Sequence, residues 1–159
     1  MVSLISMTPK EARLFLADSE GDYAADLAET EGLTLDAALA TTKELLAEIL
    51  PRRDATPGHD FRWVVHDGAR VGRVWLGPSL EDPTALYIWD ISVDSDHQGR
   101  GFGGAALDAI ATMARDRGLH SVSLNVFEQN PEARRLYERK GYVAMATERG
   151  QVHMTLRLV

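Results

Sequence analysis

The residues with the clearest chemical potential are Gln98-Gly99-Arg100-Gly101-Phe102-Gly103-Gly104, where glycine fills four of the six positions from Gly99 to Gly104. Glycine lets the backbone turn tightly and approach a ligand closely, at a cost in conformational entropy. A plain turn needs one such residue, so four point to a loop shaped for a ligand. Where a loop of this kind opens a helix, free amide N–H groups and the helix dipole attract phosphate. A diphosphate is therefore the predicted ligand, with Arg100 either adding charge or lying solvated. A Walker-type loop would end in Gly-Lys-Ser/Thr, whereas Gly104 is followed by Ala105 and Ala106, which disfavours ATP or GTP hydrolysis. The spacing Gly99-x-Gly101-x-x-Gly104 also matches the dinucleotide fingerprint, with Glu128 in the place of the ribose-binding acid. Against that match, Asp94 to Gln98 intervene between strand and glycines, and too little chain follows for a doubly wound sheet.

The elements that must position this loop follow from periodicity and punctuation. Thr8-Pro9-Lys10-Glu11 has the form of a capping box with proline at the first helical position, which predicts a helix from about Pro9 to Asp18. A second helical stretch is expected near Asp22–Glu29, ending toward Gly32. Thr34 caps a third, with Leu35, Leu39, Thr42, Leu46 and Ile49 on one stripe and Pro51 as its stop. Phe61–His66 and Val71–Leu76 flank Asp67-Gly68, a hairpin signal. Ala85–Val93 is a mostly apolar strand that reads as buried on both faces. After the glycine loop come a helix over Ala105–Arg117, a strand over Ser121–Phe127 and a short helix over Pro131–Lys140. Strands over Tyr142–Thr147 and Val152–Val159 follow, around a turn at Arg149-Gly150.

Composition bounds the rest. The 159 residues suit one domain. Without cysteine, disulfides, thiolate-bound metals and cysteine nucleophiles are excluded. The five histidines (His59, His66, His97, His120 and His153) show no metal-ligand spacing, so no metal is expected. The first twenty residues lack a basic segment followed by an apolar run, and no stretch is apolar enough to span a bilayer, so the expectation is a cytoplasmic protein without membrane contact. The net charge of −7 lies wholly in residues 1–50, which carry ten acids and three bases, while the remainder carries fourteen of each. An acidic surface repels nucleic acid and attracts a cationic partner, although charged helix faces are common in any case.

Two segments resemble the GNAT superfamily of acyl-CoA N-acyltransferases. Ile91-Ser92-Val93-Asp94 followed by Gln98-Gly99-Arg100-Gly101-Phe102-Gly103 is similar to the family's Gln/Arg-x-x-Gly-x-Gly/Ala motif after a strand. Asn130-Pro131-Glu132-Ala133 through Tyr137 to Gly141-Tyr142 is similar to its N-x-x-A-x-x-x-Y-x-x-x-G-F/Y segment. A helix and a strand separate the two, as in the family. The resemblance covers about Phe61–Val159. Leu50-Pro51 and Thr56-Pro57-Gly58-His59 are similar to a bacterial subgroup. It implies an α/β (α+β) fold of three layers, with a mixed central sheet splayed between two parallel strands. Residues 1–159 would form one domain, with N-terminal helices (1–60) on the acceptor side and the sheet and acyl-CoA-binding core in 61–159.

The resemblance also implies roles. Acetyl-CoA would lie between the parting strands, its pyrophosphate on the amides of Gln98, Gly99, Arg100, Gly101, Phe102, Gly103 and Gly104. Its pantetheine arm would pair with the backbone of Ile91, Ser92 and Val93 as an added strand. Asn130 would bond the arm, and Arg134 would either reach the cofactor or form a surface ion pair. A primary amine on a small molecule, peptide or protein would attack the thioester directly. Asp90, an acid within an apolar strand, would accept the amine's proton or else serve as a structural acid; Glu128 is a weaker alternative, and many relatives carry a glutamate instead. Tyr137 matches the general acid for the leaving thiolate, or else bonds the sulfur while packing. A backbone N–H at Ser92 or Val93 would meet the oxyanion. His59, Trp89 and Tyr23 are candidates to line the acceptor pocket, and dimers are common among relatives. A non-catalytic acyl-CoA-binding protein of the same fold is the rival reading.

Overall fold

The computed structural model describes all of residues 1–159. Seven strands form one mixed sheet in the order β1-β2-β3-β4-β5-β7-β6. They are β1 (Ser3–Ser6), β2 (Asp60–His66), β3 (Ala69–Pro78), β4 (Ala85–Val93), β5 (Ser121–Phe127), β6 (Val143–Glu148) and β7 (Gln151–Arg157). The helices are α1 (Pro9–Glu31), α2 (Leu35–Ile49), α3 (Phe102–Asp116) and α4 (Pro131–Arg139). Every strand pairing is antiparallel except β4 with β5. That pair is parallel because α3 crosses between them, as a parallel connection requires. No helix is long and apolar enough to cross a membrane.

Three layers result. On one face, Leu107, Ile110 and Ala114 of α3 pack with Val74, Leu86, Val122, Val152 and Met154 of the sheet. On the other, Phe15 and Leu16 of α1 and Leu46 and Ile49 of α2 close over Phe61 and Trp75. The β2–β3 and β6–β7 turns each place two successive residues at positive φ, Asp67-Gly68 and Arg149-Gly150, the conformation that matches strand twist in a two-residue hairpin.

Three expectations are corrected. The first two helical stretches are a single helix, Pro9–Glu31, running straight through Gly21. A mid-helix glycine costs about 1 kcal/mol relative to alanine, and burial of Phe15 and Leu16 before it and Ala24 and Leu27 after it outweighs that. The capping box is present, with Thr8 Oγ1 accepting from the Glu11 amide and Glu11 Oε1 accepting from the Thr8 amide. Residues 1–60 are not purely helical, since β1 pairs with β2 at the sheet edge. Thirdly, α3, the helix after the glycine loop, starts at Phe102 rather than Ala105, taking two of the glycines into its first turn.

Candidate active site

The site begins as a defect in sheet pairing. β4 and β5 are in register from Ala85↔Ser121 to Ile88↔Leu124 and no further. β4 continues for five residues, Trp89–Val93, and β5 for three, Asn125–Phe127, with nothing between them. The pairing of β3 with β4 shows why. Trp75 lies opposite Asp90 while Leu76 lies opposite Ile88, which makes Trp89 an extra residue in β4. A bulge bends its strand and re-aims side chains. Here it turns the second half of β4 away from β5. It also lets Trp89 pack toward α1 and α2 while the next residue, Asp90, bonds α1. β4 is thus interior in the sheet but only half-buried beyond Ile88. A cavity of about 790 Å³ fills the gap, walled by β4, β5, α1, α2 and the C-terminal hairpin.

At the end of β4 lies the glycine loop. Gly99 and Gly101 have φ of 78° and 83°, a region glycine enters at no steric cost. Gly103 and Gly104 serve packing instead: a Cβ would sit 3.1 Å from Leu136 Cδ2 at the first and 2.8 Å from Lys140 Cε at the second, so both let α4 approach α3. The amides of Gly99, Arg100, Gly101, Phe102, Gly103 and Gly104 donate to no protein acceptor, and the first helical bond after them runs from the Ala105 amide to Gly101 O. Gln98 differs. Its amide reaches Ser95 O at 3.5 Å and its side-chain Nε2 donates to Val93 O at 3.0 Å, so it braces the loop. Arg100 is exposed and Phe102 packs against His66. The result is a run of six unpaired donors at the positive end of a fifteen-residue helix, a arrangement suited to an anion.

Two titratable groups meet inside the cavity. The Asp90 carboxylate accepts from Ser19 Oγ of α1, and Ser19 is only 7% exposed. Burial pushes the Asp90 carboxyl above its ordinary value, while Ser19, the charge of Arg73 and the Ile91 amide pull it back and Asp22 adds to the rise. Arg73 is itself fixed, donating from Nη1 to Asp18 Oδ2 at 2.8 Å with its guanidinium 4.6 Å over the Phe15 ring. Tyr137 of α4 is 9% exposed, lines the cavity and packs near Tyr142. Its hydroxyl bonds no protein group. Burial first and the Asp90 charge second push its pKa up to about 12, so the phenol keeps its proton at neutral pH.

The other singled-out residues divide. Ile91, Ser92 and Asn130 line the cavity, as do Tyr23 and Trp89. Val93 pairs with Gly72 across β3. Asn130 caps α4, its Oδ1 accepting from the Ala133 amide at 3.2 Å, which leaves its NH2 free. Arg134 lies 3.7 Å from Glu138 on the helix surface. Glu128 is exposed and outside the cavity. His59 is structural: its Nδ1 accepts from Trp75 Nε1 at 3.0 Å, and burial lowers its pKa. Ser19 and Arg73 had no place in the sequence reading. One local sign existed for Ser19, a polar residue on the buried stripe Ala12-Leu16-Ser19 of α1.

A helix-capped, glycine-lined opening between two parting parallel strands defines the class. The acetyltransferase (GNAT) family model matches residues 24–142, and the chain belongs to that family. Over 144 residues it is 29% identical to the uncharacterized N-acetyltransferase YycN of Bacillus subtilis, covering 89% of this chain and 92% of that protein. The crystal structure of YycN superposes with a TM-score of 0.81 at 28% identity, over 93% of this chain and 98% of that one. The mycothiol acetyltransferase of Beutenbergia cavernae is 38% identical over 87 residues, which is 53% of this chain and 29% of that enzyme. The PaiA N-acetyltransferase of Thermoplasma acidophilum, solved with coenzyme A, shares the fold with a TM-score of 0.68 at 13% identity, over 99% of each chain.

Proposed function

We propose that the chain transfers the acetyl group of acetyl-CoA to a primary amine by direct attack, with both substrates in the cleft together. The observation that carries this reading is a buried carboxyl and a buried, unpartnered phenol on the walls of one cavity that opens where β4 and β5 part. In this reading α1 and α2 cover the acceptor side, and residues 61–159 hold the acyl-CoA side.

The residues suit the cosubstrate. The free amides from Gly99 to Gly104 are donors for a diphosphate, and the edge of β4 over Ile91, Ser92 and Val93, which β5 does not pair and where Gln98 occupies only Val93 O, can take a pantetheine arm as an added strand. The Asn130 NH2 is a further donor. Acetyl-CoA supplies a thioester that a neutral amine can attack. A lysine-like amine has a pKa near ~10.4, so freeing its nitrogen at pH 7 costs roughly 4–5 kcal/mol. Asp90 takes that proton, and its raised pKa makes it a better base than an exposed aspartate. As the C–N bond forms and the C–S bond breaks, Tyr137 gives its proton to the sulfur, and the nitrogen of the new amide loses its second proton to solvent.

The two groups help each other in sequence. Burial and then the Asp90 charge hold the proton on Tyr137. Once Asp90 has taken the amine's proton that charge is gone, and the phenol becomes the stronger acid when the sulfur needs it. Proton return from Asp90 through solvent to the phenolate resets the site.

Calorimetry with acetyl-CoA, paired with a thiol-release assay over an amine panel, tests the reading. Binding with release on at least one amine supports it. Binding without release over a broad panel assigns the chain to non-catalytic acyl-CoA binding, and absence of binding removes both.

A further inference from the structure

Arg73 stands on the cavity wall near Asp90. Across the β3–β4 pairing Arg73 lies opposite Ser92 and Trp75 opposite Asp90, so Arg73 and Asp90 are diagonal neighbours on one face, roughly 7–8 Å apart at the backbone. Both side chains turn toward α1, Arg73 over the Phe15 ring and Asp90 to Ser19. The guanidinium bonds Asp18 and the carboxylate bonds Ser19, and neither bonds the other. The gap between them has room for a small bridging group.

The guanidinium is only partly engaged. Nη1 donates to Asp18 Oδ2 at 2.8 Å, and Nη2 has no partner. Nε is buried and donates to nothing, although buried donors are nearly always paired. The free Nε–Nη2 edge is a fork that can hold a carboxylate by two parallel bonds. Asp18 is 60% exposed, against 23% for Arg73, and lies outside the cavity. An ion pair so open to water is weak, so it competes poorly with a carboxylate held inside. Asp22 and Asp26 stand about 6 Å and about 12 Å beyond Asp18 along α1, from the helical rise per residue, which leaves the positive charge at the Asp90 end of the cavity.

A second wall of the same cavity carries no charge. From α2 it takes Thr42, Leu45, Leu46 and Ile49 and no ionisable group. Trp75 and Trp89 continue it across β3 and β4, their rings stacked with centroids 5.7 Å apart. A charged side chain would lose its hydration against such a surface, whereas an aliphatic or aromatic one gains by leaving water.

We propose that the acceptor is an α-amino acid with an apolar side chain: its amine reacts at Asp90 and Tyr137, its carboxylate lies on the Nε–Nη2 edge of Arg73, and its side chain packs against α2 and the Trp75–Trp89 wall. This rests on the acetyl-transfer reading, and it names the acceptor class that reading leaves open. The diagonal placement of Arg73 and Asp90 selects a carboxylate next to the amine, and the uncharged wall selects the side chain.

The test compares L-leucine with 3-methylbutylamine, which lacks only the carboxylate, and with L-leucinamide, L-lysine and L-aspartate, in the thiol-release assay on the wild type and on Arg73→Gln. L-leucine is expected to lead the panel in kcat/KM. Taking the ratio of wild type to variant for each acceptor cancels the acceptor's own basicity. In Arg73→Gln the loss for L-leucine is expected to exceed the loss for 3-methylbutylamine about tenfold or more, mainly through KM, and Arg73→Lys should recover part of it. An Arg73 that only tunes Asp90 would lower every acceptor alike. Retained acetyl-CoA affinity in both variants separates loss of recognition from loss of fold. Calorimetry of L-leucine on the wild type saturated in coenzyme A reads the site without chemistry and without a variant. L-leucine binding there that 3-methylbutylamine does not match supports the proposal even if no thiol is released, in which case the transfer reading alone fails. Release with other amines but not with L-leucine leaves the transfer reading standing and overturns the proposal. So does equal use of L-leucine and L-leucinamide, preference for L-lysine or L-aspartate, or an equal loss for L-leucine and 3-methylbutylamine in Arg73→Gln.

Discussion

Replacing Ser19 by alanine should shift the acid limb of the pH–rate profile upward. Asp90 is pulled in opposite directions: burial raises its pKa, and the Ser19 hydroxyl is the foremost influence lowering it, ahead of Arg73 and the Ile91 amide. A hydrogen bond to a charged group is worth about 1.5–3 kcal/mol, and 1.36 kcal/mol corresponds to about one pH unit. Arg73 and the Ile91 amide stay in place, so the lower end applies and the limb should move by about one unit. The assay is kcat/KM against pH for the wild type and Ser19→Ala with one amine, so that titration of the amine itself cancels. A carbon-13 label on the Asp90 carboxyl, followed by NMR, reports the same shift without turnover. Asp90→Asn closes the argument. Its amide still accepts from Ser19 but takes no proton, so turnover should collapse. The raised pKa means the folded state binds the proton more tightly than the unfolded one. The stability that Asp90 contributes is therefore complete below the ordinary value of 3.8 and lost as pH rises through the folded value. At neutral pH the asparagine variant should melt higher than the wild type, and at low pH the advantage should vanish. An acid limb and a carboxyl titration that both stay put in Ser19→Ala would refute the placement of Asp90 as a base held by that serine.

Tyr137→Phe should lower kcat by about a hundredfold or more with acetyl-CoA affinity unchanged by calorimetry, since the hydroxyl bonds no protein group and the ring packing survives; unchanged turnover would remove the acid role. Gly101→Glu should abolish acetyl-CoA binding. Its Cβ meets open space, so the fold should survive with about 1–2 kcal/mol of left-handed strain, and a retained affinity would show that the diphosphate lies elsewhere. Gly72→Ala should destabilise the protein by about 1–3 kcal/mol in denaturant unfolding, because the new Cβ would overlap Ser92 O across the β3–β4 pairing; a neutral result would mean that this part of the sheet yields more easily than its register suggests.

What could be read from the residues depended on how far apart the partners lie. β4 and β5 have the bounds their apolar runs imply, Ala85–Val93 and Ser121–Phe127, because proline and glycine punctuate both. The α1 cap was legible because all its partners lie within four residues. Gly21, Gly103 and Gly104 misled because a glycine's local cost is visible in the sequence, while the packing that offsets it, against Leu136 and Lys140 in the last two cases, is not. β1 is four residues on an edge, too short for alternation to register. The bulge at Trp89 leaves no composition signature, since it exists only as a mismatch between β3 and β4, yet it opens the cleft and aims Asp90. The Ser19–Asp90 bond joins residues 71 positions apart, and no spacing rule spans that distance. Motifs therefore locate the glycine loop and Tyr137, whereas the groups that act on Asp90 come from elements distant in sequence, α1 and β3. Ser19 and Arg73 are of that second kind: both lower the Asp90 pKa against its burial, and neither belongs to a motif.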